Sequence, residues 1–89
     1  MKYEIEIPDF IQKELEKYPR KEILRIRDRI RKLEVDPKPH GVEKISDNRY
    51  RIRQGVYRII YSIFDHKLLI IVVNISHRRE IYTKKHKNK

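Results

Sequence analysis

The sequence predicts an α+β domain: an N-terminal strand, an antiparallel two-helix hairpin, then a three-stranded antiparallel meander, with the helices on one face of a small sheet. Three observations predict it. Residues 2–7 alternate polar and apolar, residues 11–33 carry apolar side chains at helical spacing, and from Asn48 the period drops to two. At 89 residues the chain makes one domain, 1–89, of which 84–89 reads as a basic tail.

Each element has a local reason. In Lys2-Tyr3-Glu4-Ile5-Glu6-Ile7, the residues Tyr3, Ile5 and Ile7 share one face of a strand. Pro8-Asp9 opens a helix, because proline suits the first turn and Asp9 favours the positive helix end. Ile11, Leu15 and Tyr18 form its apolar stripe, and Pro19 both stops it and opens the next helix. In that second helix Ile23, Ile26, Ile30 and Leu33, with Leu24 beside them, mark the buried face. Asp36-Pro37-Lys38-Pro39 ends it, since a residue before proline is pushed out of the α region, and residues 36–47 read as a loop.

Arg49-Tyr50-Arg51-Ile52-Arg53 then alternates strictly, so the three arginines share one face and Tyr50 and Ile52 the other. Gln54-Gly55 is a hairpin turn. In the strand 56–64, Tyr57, Ile59, Tyr61 and Ile63 face one way and Arg58, Ile60 and Ser62 the other. Tyr50, Tyr57 and Tyr61 are therefore expected in the core. After a turn at Asp65-His66, residues 68–75 are a nearly unbroken apolar run, as expected for a central strand covered on both sides.

Charge narrows the function. Charged residues make up 40% of the chain, well above the roughly 25% of an average domain. Residues 1–47 hold 12 Lys/Arg and 11 Asp/Glu, whereas residues 48–89 hold 11 Lys/Arg against only Asp65 and Glu80. The excess of +9 thus lies in the half that carries the strands, which points to a polyanionic partner. The absence of cysteine excludes thiol catalysis and thiolate metal sites. No apolar run approaches the ~20 residues of a membrane span, and Met1-Lys2-Tyr3-Glu4 is not a signal peptide, so a soluble cytoplasmic protein is expected.

The four histidines are too widely spaced for a zinc site, and Gly41 and Gly55 cannot make a phosphate loop, so no metal or cofactor is expected. A Ser–His–Asp triad from Ser76, His77 and Asp65 fails because adjacent strand residues point to opposite faces. What remains is arginine, histidine and tyrosine. Arginine forks grip phosphate and can stabilise the extra charge of a pentacoordinate transition state. Tyrosine and histidine can stack on a base or move protons. With the RNA 2′-OH as nucleophile, such a set supports a metal-free endoribonuclease.

The run Tyr50-Arg51-Ile52-Arg53-Gln54-Gly55-Val56-Tyr57-Arg58-Ile59-Ile60-Tyr61, followed by Ile75-Ser76-His77-Arg78-Arg79-Glu80-Ile81-Tyr82, resembles the RelE/ParE superfamily of toxins, most closely its RelE branch. The similarity covers essentially the whole chain. It implies a RelE-like fold and the toxin of a type II toxin–antitoxin pair, cutting mRNA in the ribosomal A site without metal. The reaction implied is attack by the 2′-OH, leaving a 2′,3′-cyclic phosphate and a 5′-hydroxyl.

By the same resemblance Arg51 and Arg53 contact the scissile region, Arg58 and Arg78 stabilise the transition state, and Tyr82 stacks on or activates the substrate. Arg49 and Arg79 extend the RNA-binding set. RelE enzymes often carry lysine where Arg51 and Arg53 stand here. Arginine is a poor base at neutral pH, so Tyr82 and His77 become the candidates for moving the proton. An antitoxin is implied too, as a helix or extended segment along the helices or the sheet edge, its acidic residues against the basic face. Two other readings share these features: a ParE-like inhibitor of DNA gyrase without catalysis, and a plain RNA-binding module.

Overall fold

The computed structural model describes residues 2–77. These form β1 (Glu4–Glu6), α1 (Asp9–Leu15), α2 (Arg20–Arg31), β2 (Glu43–Ser46), β3 (Arg49–Gln54), β4 (Tyr57–Phe64) and β5 (Leu69–His77), with 3₁₀ turns at Lys32–Glu34 and Asp65–Lys67. The strands make one sheet in the order β1-β5-β4-β3-β2. β1 runs parallel to β5, and every other pair is antiparallel. The basic tail expected at 84–89 lies outside the described residues.

The helices start where the prolines place them. Pro8 and Pro19 sit just before the first helical residue, and the carbonyl of each accepts from the N–H groups three and four residues on. α1 packs against β5 and α2 against β3, so the pair spans one face of the sheet. Ile11, Leu15 and Tyr18 are buried, as are Ile26, Ile30 and Leu33, while Leu24 falls off the stripe and is 59% exposed. Between helices and sheet these residues join Tyr50, Ile52, Tyr57, Ile59, Tyr61, Ile63, Ile70, Val72 and Ile75 in one core. The three strand tyrosines are core residues, as their alternation predicts.

Two tyrosines also fasten the loop after α2. Tyr61 is fully buried, and its hydroxyl donates to the Pro37 carbonyl at 2.6 Å. Tyr50 stacks beside it at 6.1 Å between centroids, with the Lys38 ammonium 5.4 Å from the Tyr50 ring centre.

The structure corrects the expected sheet in two places. The loop expected at 36–47 contains β2, so the sheet has five strands and the meander four. All four residues of β2 are exposed, which leaves no buried face to print an apolar alternation on the sequence. The second correction concerns the run at 68–75. β5 is covered by the helices on one face only, and along the strand Asn74 is exposed while Leu69, Ile71 and Val73 are half-buried.

A β-bulge explains the burial pattern of β5. Tyr61 pairs with Val72 and Ile60 with Asn74, so Val73 is an extra, unpaired residue. Ile70 and Val72 face the helices before the bulge; after it the inward parity shifts by one, and Ile75 turns inward.

The β3–β4 hairpin closes through Gly55 and Val56, one residue later than the sequence suggests. Gly55 has φ +61° and Val56 does not enter the positive region, the pattern of a type II′ turn with glycine first. A Cβ at Gly55 would meet no atom within 4 Å, so the cost of adding one is conformational. Gly55→Ala is expected to lower stability by about 1–2 kcal/mol, read as a shift in urea midpoint at unchanged m.

Candidate nucleic-acid interface

Strand alternation that sends Tyr50, Ile52, Tyr57 and Ile59 into the core sends Arg49, Arg51, Arg53 and Arg58 to the opposite face. The register places Arg53 directly across from Arg58, Arg51 across from Ile60 and Arg49 across from Ser62. Facing residues on antiparallel strands hold their Cβ atoms about 5 Å apart, and like charges so placed repel. Neither Arg53 nor Arg58 meets a carboxylate among the described residues.

The helices behave differently. There Glu14 pairs with Lys17, Glu22 with Arg25, and Asp28 with Arg31 and Lys32. Arg31 and Lys32 hold the Asp28 carboxyl below the usual range, Arg31 foremost through a 2.6 Å hydrogen bond, with Lys32 adding to it. Among the described residues, these helix cations have acidic partners, whereas Arg53 and Arg58 on the sheet face have none.

Arg53 is exposed and Arg58 half-buried, and both line a shallow pocket with Gly55, Val56 and Tyr57 at the hairpin end. Such a pair of fixed cations can receive an anion between them. Arg49 donates through Nε to Ser62 Oγ at 3.4 Å, a long contact. Arg51 is engaged by Glu43 of β2, with Nε and Nη2 each 3.0 Å from the same Oε1. Sequence reasoning missed Glu43, which lies in the stretch taken for a loop; nothing local marks it, because the contact exists only once β2 pairs with β3.

His77 stands apart from these arginines. It pairs with Tyr57, and its ring meets the Tyr57 ring edge-on with centroids 5.0 Å apart. Tyr57 in turn packs 4.6 Å from Tyr18 of the helix layer. The sheet therefore lies between His77 and Arg58. Ser76, across from Arg58, is on the arginine face, so Ser76 and His77 do point opposite ways. Arg78, Arg79 and Tyr82 lie outside the described residues. Among those described, no group of three or more His, Asp or Glu side chains is placed to hold a metal, and no helix is long and apolar enough to cross a membrane.

The Arg53–Arg58 pair makes a stability test. Arg53→Glu sets an acid opposite Arg58, so the protein is expected to gain about 0.2–1 kcal/mol while losing affinity for polyanions, followed by urea titration and heparin retention.

Residues 5–82 match the family described as the ParE toxin of the type II toxin–antitoxin system, parDE. No curated protein sequence matches the chain significantly. Among solved structures, it is similar to the archaeal RelE–RelB complex from Pyrococcus horikoshii (26% identity, 88% of this chain and 97% of that one, TM-score 0.77). It is also similar to the RelB–RelE complex from Methanococcus jannaschii (27% identity, 85% and 93%, TM-score 0.68). The isolated RelE toxin of E. coli shares the fold at 19% identity, with 97% of each chain covered and a TM-score of 0.73. With the family matched over nearly the whole chain and the strand–helix–helix–sheet order shared, the chain belongs to the RelE/ParE superfamily of type II toxin–antitoxin toxins.

Proposed function

We propose that this toxin is a metal-independent endoribonuclease that cuts mRNA in the ribosomal A site in the cytoplasm and so stops translation. The observation that carries this reading is the facing pair Arg53 and Arg58, two like charges placed opposite each other without a carboxylate among the described residues. Repulsion of that kind persists where an anion is to be bound. Similarity to the archaeal RelE chains supports the same branch.

In the proposed reaction the RNA 2′-oxygen attacks phosphorus, the bond to the 5′-oxygen breaks, and the products are a 2′,3′-cyclic phosphate and a 5′-hydroxyl. Arg58, with Arg78, binds the non-bridging oxygens as their charge grows, and Arg49, Arg51, Arg53 and Arg79 hold the strand. The 2′-OH proton must leave, and the sequence offers Tyr82 and His77 to move it. The packing of His77 on Tyr57, behind the sheet from Arg58, favours Tyr82. A cognate antitoxin with an acidic segment is the proposed inhibitory partner, as the RelB complexes of the archaeal relatives suggest.

The family match favours one second reading, a gyrase inhibitor of the ParE kind. Inhibition by binding alone would not need Arg51, Arg58, Arg78 and Tyr82 together. One experiment separates the two: purified protein is incubated with mRNA, with and without programmed ribosomes, in EDTA, and product ends are mapped. Ribosome-dependent cuts with cyclic phosphate ends are expected. A folded protein that arrests growth, cuts nothing and blocks supercoiling by gyrase would overturn the nuclease.

A further inference from the structure

Glu43 occupies the part of Arg51 that a phosphate would need. Arg51 Nε and Nη2 form the guanidinium edge that grips two phosphate oxygens; Nε donates to Glu43 Oε1 at 3.0 Å, and Nη2 lies 3.0 Å from the same oxygen. Strand pairing enforces the contact, because Glu43 lies directly across from Arg51 in the β2–β3 register. Elsewhere on the face, Arg53 and Arg58 have no such acid among the described residues. The Glu43 and Arg51 side chains remain 49% and 30% exposed, so the pair is weak enough to be opened by a competing anion.

We propose that Glu43 is an internal competitor for the RNA phosphate at Arg51, holding loose RNA off the basic face. This rests on reading that face as the RNA site. A strand meeting the protein through its backbone alone must displace the carboxylate at Arg51 and binds less tightly for it. A strand already held by a second contact, as on a ribosome, presents its phosphate at high effective concentration and displaces Glu43 readily. The acid thus selects against unattached RNA.

The test is a double-mutant cycle on the full chain. Binding of a fluorescein-labelled uridine oligoribonucleotide with 2′-O-methyl sugars, which cannot be cleaved, is followed by anisotropy over a salt series. Circular dichroism checks that each variant is folded. Glu43→Gln is expected to tighten binding about twofold to fivefold, the range that exposed ion pairs span. The log–log salt slope should stay the same, because the phosphate contact at Arg51 is made in both proteins once the carboxylate is displaced. The tightening should disappear when Glu43→Gln is added to Arg51→Gln.

Unchanged or weaker binding by Glu43→Gln, or the same gain in the Arg51→Gln background, would overturn the competitor while leaving the RNA face standing. Binding indifferent to Arg51→Gln would remove Arg51 from the RNA site. The functional reading of that residue would then fail, and the competitor with it.

Discussion

Arg58→Ala is expected to slow ribosome-dependent mRNA cleavage by about 10²–10³-fold, the usual cost of deleting one preorganised donor to a growing oxyanion. Position is the reason. Arg58 projects from β4, the middle strand of five, so its backbone is held by neighbours on both sides. A guanidinium fixed in this way needs little reorganisation as charge builds on phosphorus. Stability should move in the opposite direction from activity. Removing one partner of the Arg53–Arg58 pair relieves a like-charge contact, so urea unfolding should show an unchanged or slightly raised midpoint.

Arg58→Lys keeps the charge but loses the planar fork, and should fall between wild type and alanine. Single-turnover cleavage on programmed ribosomes reads the first effect and denaturant titration the second. Full cleavage by Arg58→Ala would remove the proposed site, and a large drop in its stability would recast Arg58 as a structural residue.

The largest stability effect is expected at Tyr61. It is fully buried, stacks beside Tyr50 and ties the loop after α2 to the sheet through the Pro37 carbonyl. Tyr61→Ala should cost about 3–5 kcal/mol, as for other large aromatic truncations in a packed core. At roughly 0.05–0.15 kcal/mol per residue, a chain of this size has few such losses to spare. Tyr61→Phe keeps the packing and strands the carbonyl, a loss of about 1–3 kcal/mol.

The same phenol gives a pH signature. Burial pushes its pKa well above the ordinary tyrosine value, against a smaller downward pull from Arg29. The folded state therefore keeps the proton that the unfolded chain gives up near pH ~10. Stability from this source is complete below that pH and is lost as pH rises beyond it, since the unfolded state then binds fewer protons. Urea midpoints on either side of pH ~10 should fall less for Tyr61→Phe than for wild type. Equal slopes would mean that the alkaline loss comes from other groups.

Much of the fold is legible because periodicity is local. The stripe Ile26, Ile30, Leu33 and the alternation from Arg49 to Ile63 each predict a buried face that the structure bears out. β2 was not legible. A strand whose every residue is exposed has no apolar period, and it exists through hydrogen bonds to β3 that depend on the whole sheet. Glu43 was hidden with it. The bulge left one readable trace: in Ile70-Ile71-Val72-Val73-Asn74-Ile75 the inward parity set by Ile70 and Val72 would bury Asn74 and expose Ile75. The structure avoids this with one extra residue at Val73.

By itself the sequence determined that Arg49, Arg51, Arg53 and Arg58 share a face opposite the tyrosine core. In a strand the side-chain period is two, and burying one set leaves the other no choice. It also carried the family resemblance, in the run from Tyr50 to Tyr61. Only the tertiary structure decided what those arginines meet. Cross-strand register set Arg53 against Arg58 and Glu43 against Arg51. The bulge turned His77 onto Tyr57 and away from Arg58, because one unpaired residue reverses every side chain beyond it.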